Sequence, residues 1–392
     1  MKIMLYVNSY LPYIGGREMV VHLLAKSYQE LGHDVRVVGP GCWWKHRKTK
    51  FSYPLHRWPR IPFLSKDMAW TIQLLYAYLL YKPDIIHAHS TYPTGYIAAR
   101  LKKFFKKPLI ITPHGEDIHM IPEIGFGQRL DPVQDKKIRY ALEKAEFITA
   151  ISDSVAQSIS DADVPNDKII SISNGVDLDR FQRRQEIDIY DYFGFPSGAQ
   201  LVVTTGNYHP RKGHEVLIES IRLAVGKNEN IRLVVIGRTS DKLKDEVKND
   251  GLDSYVKFTG PLAVPVEEVS AGNDLLVALL NEAKIYVSSS IDEGAEGMSL
   301  ALLEAMSAGA CPVVTDISGN RDIVIKGSNG ITVPPSSATD LSDAILQLLQ
   351  DEDMQLMFRS ESINTANKFG WIEIAKKYID LYKLVINRRE NV

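Results

Sequence analysis

Two kinds of hydrophobic pattern alternate along the chain. Short aliphatic runs, such as "IMLYV" at 3–7 and "DVRVV" at 34–38, are followed by longer stretches with apolar residues at helical spacing. Further short runs at 85–87, 109–112, 147–150 and 169–172 complete a first series. Between the first two runs, Val20, Leu23, Leu24, Ser27, Tyr28 and Leu31 repeat on one helical face, and Gly32 ends the helix. After a polar stretch at 179–200 the pattern restarts, with runs at 201–205, 231–236, 256–259, 285–288, 312–314 and 331–333. The segment 371–389 reads as one long amphipathic helix that either half could accommodate. Strand–helix alternation predicts parallel sheets covered by helices on both faces. Two such series predict two doubly wound, Rossmann-like α/β domains, as a length of 392 residues also suggests. Ligands of such sheets bind outside the carboxyl ends of the strands, so the expected site is a cleft between two facing domains.

Composition narrows the class. At 45% hydrophobic and 24% charged residues the chain is that of a globular protein. Cys42 and Cys311 stand far apart without metal spacing, which fits a reducing cytoplasm. The opening "MKIMLYVNSY" enters a strand and has no signal-peptide pattern. The longest apolar stretch, 69–81, is interrupted by Thr71 and Gln73 and is shorter than the ~20 residues of a membrane span. Net charge is −2, yet residues 1–107 hold 17 Lys and Arg against 5 Asp and Glu, so the rest of the chain is acidic. Basic residues mix with aromatics at 43–58 and 100–108. That mixture fits a solvated basic face or a surface lying on anionic lipid at the inner side of a membrane. Nucleic acid is not expected, because no recognised motif accompanies the charge.

Candidate chemistry sits where strands give way to helices. Gly15 and Gly16 lie between the first strand and the first helix, where glycines admit an anion to the amides or merely make a tight turn. In "TTGNYHPRKGHEVLIES" (204–220), Gly206 opens a loop, and Arg211 and Lys212 meet a helix start near Gly213. Cations at a helix N-terminus oppose its dipole. A bound diphosphate resolves that conflict; a solvated surface pair is the alternative. In "EGMSLALLEAMSAGACPVV" (296–314), Glu296 and Glu304 interrupt an otherwise apolar stripe, and a carboxylate there needs hydrogen-bond partners. Eight helical residues turn ~80° and rise ~12 Å, so the two acids suit the two ends of an extended, hydroxyl-bearing ligand such as a nucleotide sugar.

These residues resemble retaining glycosyltransferase family 4, of the two-domain GT-B fold. The likeness runs through Gly15-Gly16, "HG" at 114–115, "SNGVD" at 173–177, "RKG" at 211–213, the Glu296/Glu304 pair, "SGNRDIV" at 318–324 and the Trp371 helix. It implies an N-terminal acceptor domain at 1–183, a donor domain at 184–370, and a final helix, 371–392, crossing back onto the first. It implies a UDP-, GDP- or ADP-sugar donor and a saccharide or lipid-linked acceptor, with neither cofactor nor metal. Arg211 and Lys212 would neutralise the diphosphate and Glu304 would take the ribose hydroxyls. Glu296 would hold a donor-sugar hydroxyl, and His114 would lie near the reacting carbon. Amides at Gly297, Met298 and Ser299, together with Gly15, Gly16 and Gly206, would complete the donor site. No nucleophile is nominated, since the departing phosphate oxygen can take the acceptor proton.

The chain departs from the family pattern at Met298-Ser299, where Phe-Gly is usual, and at Gly319-Asn320-Arg321-Asp322. Glu293 has the wrong spacing to Glu304 to replace Glu296. Asp-x-Asp at 161–163, 177–179 and 351–353 falls in polar surface or turn, and His87/His89 lacks a third ligand, so no metal is expected. The competing readings are a nucleotide-sugar 2-epimerase of the same fold and a non-catalytic sugar-nucleotide-binding subunit.

Overall fold

The computed structural model of the chain describes residues 1–11, 15–40, 51–58, 63–262, 273–292 and 297–390. They form two compact units, Met1–Gly175 with Trp371–Val392, and Val176–Gly370. The division falls earlier than the 183/184 junction suggested by the polar stretch. Phe181 is buried in the second unit's core, and the Val176 amide donates to the Phe369 carbonyl at 2.8 Å, so 176–183 belongs to that unit.

The first unit is a seven-stranded parallel sheet of β1 (Lys2–Val7), β2 (Asp34–Pro40), β3 (Leu55–Trp58), β4 (Ile85–His89), β5 (Leu109–Thr112), β6 (Phe147–Ala150) and β7 (Ile169–Ser171). Their order is β3-β2-β1-β4-β5-β6-β7. Alternate residues face opposite sides, and both sides are covered, so the central strands read as unbroken apolar runs. Met4, Tyr6, Ile86, Ala88 and Ile111 pack with Leu74 and Ala77 of the helix Lys66–Tyr81, Ile97 of the helix Tyr96–Phe105, and Ile138 of the helix Pro132–Lys144. On the other side the helix Trp371–Glu390 meets the helix Gly16–Glu30, with the Tyr28 and Tyr382 hydroxyls 2.9 Å apart.

Strand β3 has no counterpart among the expected runs. It is four residues long, half polar and paired on one side only, which leaves too little periodicity to read. It also alters the expected lipid-facing role of 43–58. Tyr53 is buried, with its hydroxyl bonded to Tyr10 and, at 2.5 Å, to His22 Nδ1; Arg57 donates to the Leu11 carbonyl. These side chains serve the interior, while residues 43–50 lie outside the described residues.

The second unit carries a six-stranded parallel sheet: β8 (Gln200–Thr205), β9 (Ile231–Ile236), β10 (Val256–Gly260), β11 (Ile285–Ser288), β12 (Cys311–Thr315) and β13 (Ile331–Val333), in the order β10-β9-β8-β11-β12-β13. Leu201 and Val203 face one core with Leu279, Leu302 and Met306, while Val202 faces another with Leu217, Ile221 and Ile345. Among the described residues no helix is long and apolar enough to cross a membrane.

Candidate active site

In the second unit the order of strands reverses between β8 and β11, and the loops leaving these two neighbours carry the candidate donor residues. At such a switch point the two connections diverge and leave a crevice at the carboxyl edge. Beyond β8, Gly206 leads to the turn Pro210–Lys212, capped by Gly213 at φ +61°, and to the helix His214–Val225. The loop from β11 grips this turn from its own side: Ser289 Oγ donates to the Lys212 carbonyl and the Ile291 amide to the Arg211 carbonyl, both at 2.9 Å. A Cβ on Gly213 would stand 2.1 Å from the Ser289 carbonyl oxygen, and one on Gly237 would stand 1.9 Å from that of Gly206. Two close backbone approaches therefore fix where Arg211 and Lys212 leave the chain. Burial, then the Lys212 charge, lowers the neighbouring His214 to about 4, which leaves it neutral at neutral pH.

Beyond β11, Ser299 caps the helix Leu300–Ala308, its hydroxyl accepting from the Leu302 amide at 3.3 Å. The Met298 side chain is buried in the core. Ser299's hydroxyl and Met298's side chain thus serve the fold, leaving backbone amides as what this turn can offer a ligand. Glu296, like Glu293, lies outside the described residues.

Glu304 is half-buried on the same helix. Its carboxyl is pushed up to about 7, first by burial, with Arg180 opposing and Asp177 and Asp274 adding to the rise. Arg180 Nε is bound to Asp274 Oδ2 at 2.8 Å. The fold favours protonated Glu304, so this contribution is complete below the ordinary carboxylate range and is lost as pH rises through about 7. Glu304→Gln removes that loss. Its melting temperature is expected to match the wild type near pH 4 and to exceed it above pH 8, by up to about 3 kcal/mol in stability. Calorimetric melts at the two pH values check this, and an equal difference at both would refute it.

In the first unit the carboxyl ends of β4 and β5 assemble a histidine network. The His114 amide donates to Asp117 Oδ1 and the Thr91 amide to Asp117 Oδ2, each at 2.7 Å, so one carboxylate pins both loops. His114 Nε2 lies 3.2 Å from His89 Nδ1. His87 bridges the Tyr382 hydroxyl and Thr112 Oγ1, both at 2.6 Å. Burial holds all three histidines well below their ordinary range, His89 at about 3, so they are neutral at neutral pH. His87 and His89 therefore act within the protein: one anchors the C-terminal helix and the other meets His114. Gly15 caps the first helix at φ −149°, a conformation open to any residue, so its backbone does not require glycine there.

The structure brings Gly206, Arg211, Lys212 and the Gly297–Ser299 turn to one edge of the second unit's sheet. Gly15, Gly16 and His114 stand at the corresponding edge of the first. Sequence reasoning missed Arg180 and Asp274, and met Asn320 only as part of a departure from the family pattern. Asn320 accepts from Ser288 Oγ at 3.1 Å and donates to the Thr315 carbonyl at 2.8 Å, tying the ends of β11 and β12 together. This gives the unusual Gly-Asn-Arg-Asp segment a structural role. No local spacing announces any of the three.

Two parallel-sheet, Rossmann-like units are the architecture of the GT-B fold. Residues 14–180 match the model of Glycosyltransferase Family 4, and residues 189–365 match that of Glycosyl transferases group 1. The chain belongs to glycosyltransferase family 4. It is 26% identical to an uncharacterised glycosyltransferase of Methanocaldococcus jannaschii, over 98% of this chain and 99% of that one. It is 23% identical to N-acetyl-alpha-D-glucosaminyl L-malate synthase of Bacillus anthracis, over 100% and 99%. Among solved structures, Anabaena HepE in complex with UDP superposes with a TM-score of 0.80 at 19% identity, covering 98% of this chain and all of that one.

Proposed function

We propose that this glycosyltransferase is retaining and metal-independent, and that it moves a sugar from a nucleotide diphosphate sugar to an acceptor hydroxyl. The observation that carries the reading is the placement of Arg211 and Lys212 at the β8/β11 switch point, on a turn held by the β11 loop. Cations carried by that anchored turn can stabilise the charge that develops on a departing diphosphate, the task a metal ion would otherwise perform. In the transfer, the bond from the anomeric carbon to the phosphate oxygen breaks and a bond to the acceptor oxygen forms on the same face. The acceptor proton passes to the departing phosphate oxygen, so no enzyme nucleophile is needed. Glu304 takes the ribose hydroxyls and Glu296 a sugar hydroxyl. The neutral ring of His114 offers the donor sugar a hydrogen bond rather than a charge.

The UDP bound to the Anabaena structure makes UDP-sugars the first donors to try. The phosphatidyl-myo-inositol mannosyltransferase of Mycobacterium leprae, 25% identical over about half of each chain, supports a lipid-linked acceptor alongside a saccharide one. A thermal-shift series with UDP-, GDP- and ADP-sugars in the presence of a chelator tests the donor site. A donor at ~100 times its dissociation constant adds ~2.7 kcal/mol, a shift of a few degrees. One nucleotide class is expected to raise the midpoint of the wild type, and to raise it less in Lys212→Ala and Glu304→Ala. A shift that appears only when a divalent metal is restored would sink the metal-free reading. Sugar loss or rearrangement without any acceptor would favour an epimerase.

A further inference from the structure

The helix Lys66–Tyr81 has two apolar faces where a surface helix normally has one. Its inner face buries Gln73, Leu74, Ala77 and Tyr81. Its outer face leaves Met68, Ile72, Tyr76, Leu79 and Leu80 between 37% and 59% exposed. At helical spacing these five residues cover an arc of about 120°. No charged residue occurs from 68 to 81, and the Tyr76 hydroxyl is the one polar side-chain group among these five residues. The patch continues onto the helix Tyr96–Phe105. Tyr78 stacks on Phe105 with ring centroids 4.0 Å apart and donates to its carbonyl at 2.9 Å, and the adjacent Phe104 is 62% exposed. Seven of the sixteen large apolar side chains exposed among the described residues lie within 63–104, which is clustering rather than the usual single scatter.

Charge at the borders of this face selects its partner. Lys66 and Lys82 stand exposed at the two ends of the helix, and Lys103 and Lys106 stand exposed beside Phe104. The one acid on the helix, Asp67, is taken up by Lys137 at 2.8 Å and by the Tyr92 hydroxyl at 2.9 Å. Lys102 turns away to Glu146 at 3.0 Å and so does not belong to the basic border. A second copy would bring like charges together. An anionic bilayer offers apolar depth for the stripe and negative headgroups for its lysines.

We propose that this face docks on an anionic membrane surface, the helix lying in the plane of the interface. The proposal rests on the glycosyl-transfer reading only for its purpose, delivery of a lipid-linked acceptor, and not for its geometry. Flotation of the full chain with vesicles of phosphatidylcholine, alone or with about 30% phosphatidylglycerol, tests it. The wild type is expected to float with the mixed vesicles and not with the neutral ones. Lys103→Ser/Lys106→Ser is expected to reduce flotation at least about tenfold, given roughly a kilocalorie per basic residue at the surface, and Leu79→Gln/Leu80→Gln at least about tenfold through the apolar burial that both lose. These side chains are exposed, so melting temperature and donor-induced shift should stay at wild-type values. Donor failure with intact flotation would count against the donor reading alone. Flotation that ignores phosphatidylglycerol, or that survives both double variants, overturns the proposal. So does a dimer in light scattering that Leu79→Gln/Leu80→Gln disperses, which would give the face to a second copy.

Discussion

Lys212→Ala is expected to lower kcat/KM by ~10²–10³ while leaving the melting temperature of the free protein close to wild type. The magnitude is that of removing one preorganised donor from a charge developing in the transition state. The backbone that carries the side chain is anchored, its carbonyl held by Ser289 and its amide by the His209 carbonyl at 2.8 Å. The side chain therefore leaves the chain from a fixed point at the switch-point edge. Lys212→Arg keeps the charge and should recover part of the loss. Steady-state release of the nucleotide, measured at saturating acceptor, is the readout. A loss below tenfold for Lys212→Ala would mean that leaving-group charge is stabilised elsewhere.

Gly213→Ala is expected to harm both stability and turnover. The left-handed backbone at φ +61° costs a non-glycine residue about 1–2 kcal/mol. The added Cβ would also lie 2.1 Å from the Ser289 carbonyl oxygen and 2.9 Å from Ile291 Cγ2. The first clash is with backbone, so no rotamer relieves it, and the two loops must move apart. Overpacking of this kind adds roughly 1–3 kcal/mol. Because the displaced turn carries Arg211 and Lys212, a shift of about 1 Å should reduce kcat/KM on the order of 10²-fold. Melting curves and turnover of the purified variant decide the matter. Wild-type values in both would show that the close approach is not needed.

Much of the fold was legible because periodicity reports directly on burial. Twelve of the thirteen strands announce themselves as short apolar runs, since a strand covered on both faces has few positions for polar residues. The restart after residue 200 separates the two sheets for the same reason. The Arg211/Lys212 and Glu304 segments were legible as candidates because each puts charge where the local pattern disfavours it.

The remaining features join residues distant in sequence, and only the tertiary structure decided them. Nothing near Glu304 in the chain points to its burial, the main cause of its raised protonation, or to Arg180 and Asp274, 94 residues apart, as charges that act on it after burial. Nothing in "HAHS" indicates that His87 anchors Tyr382 from the far end of the chain while His89 meets His114. Residues 69–81 illustrate the limit most plainly. Their pattern states that these side chains leave water, but one half is satisfied by the core and the other half is not. Hydrophobicity is a property of a side chain against solvent and is carried by the sequence alone. Which surface removes it from solvent depends on what the rest of the chain brings alongside, and that is fixed only on folding.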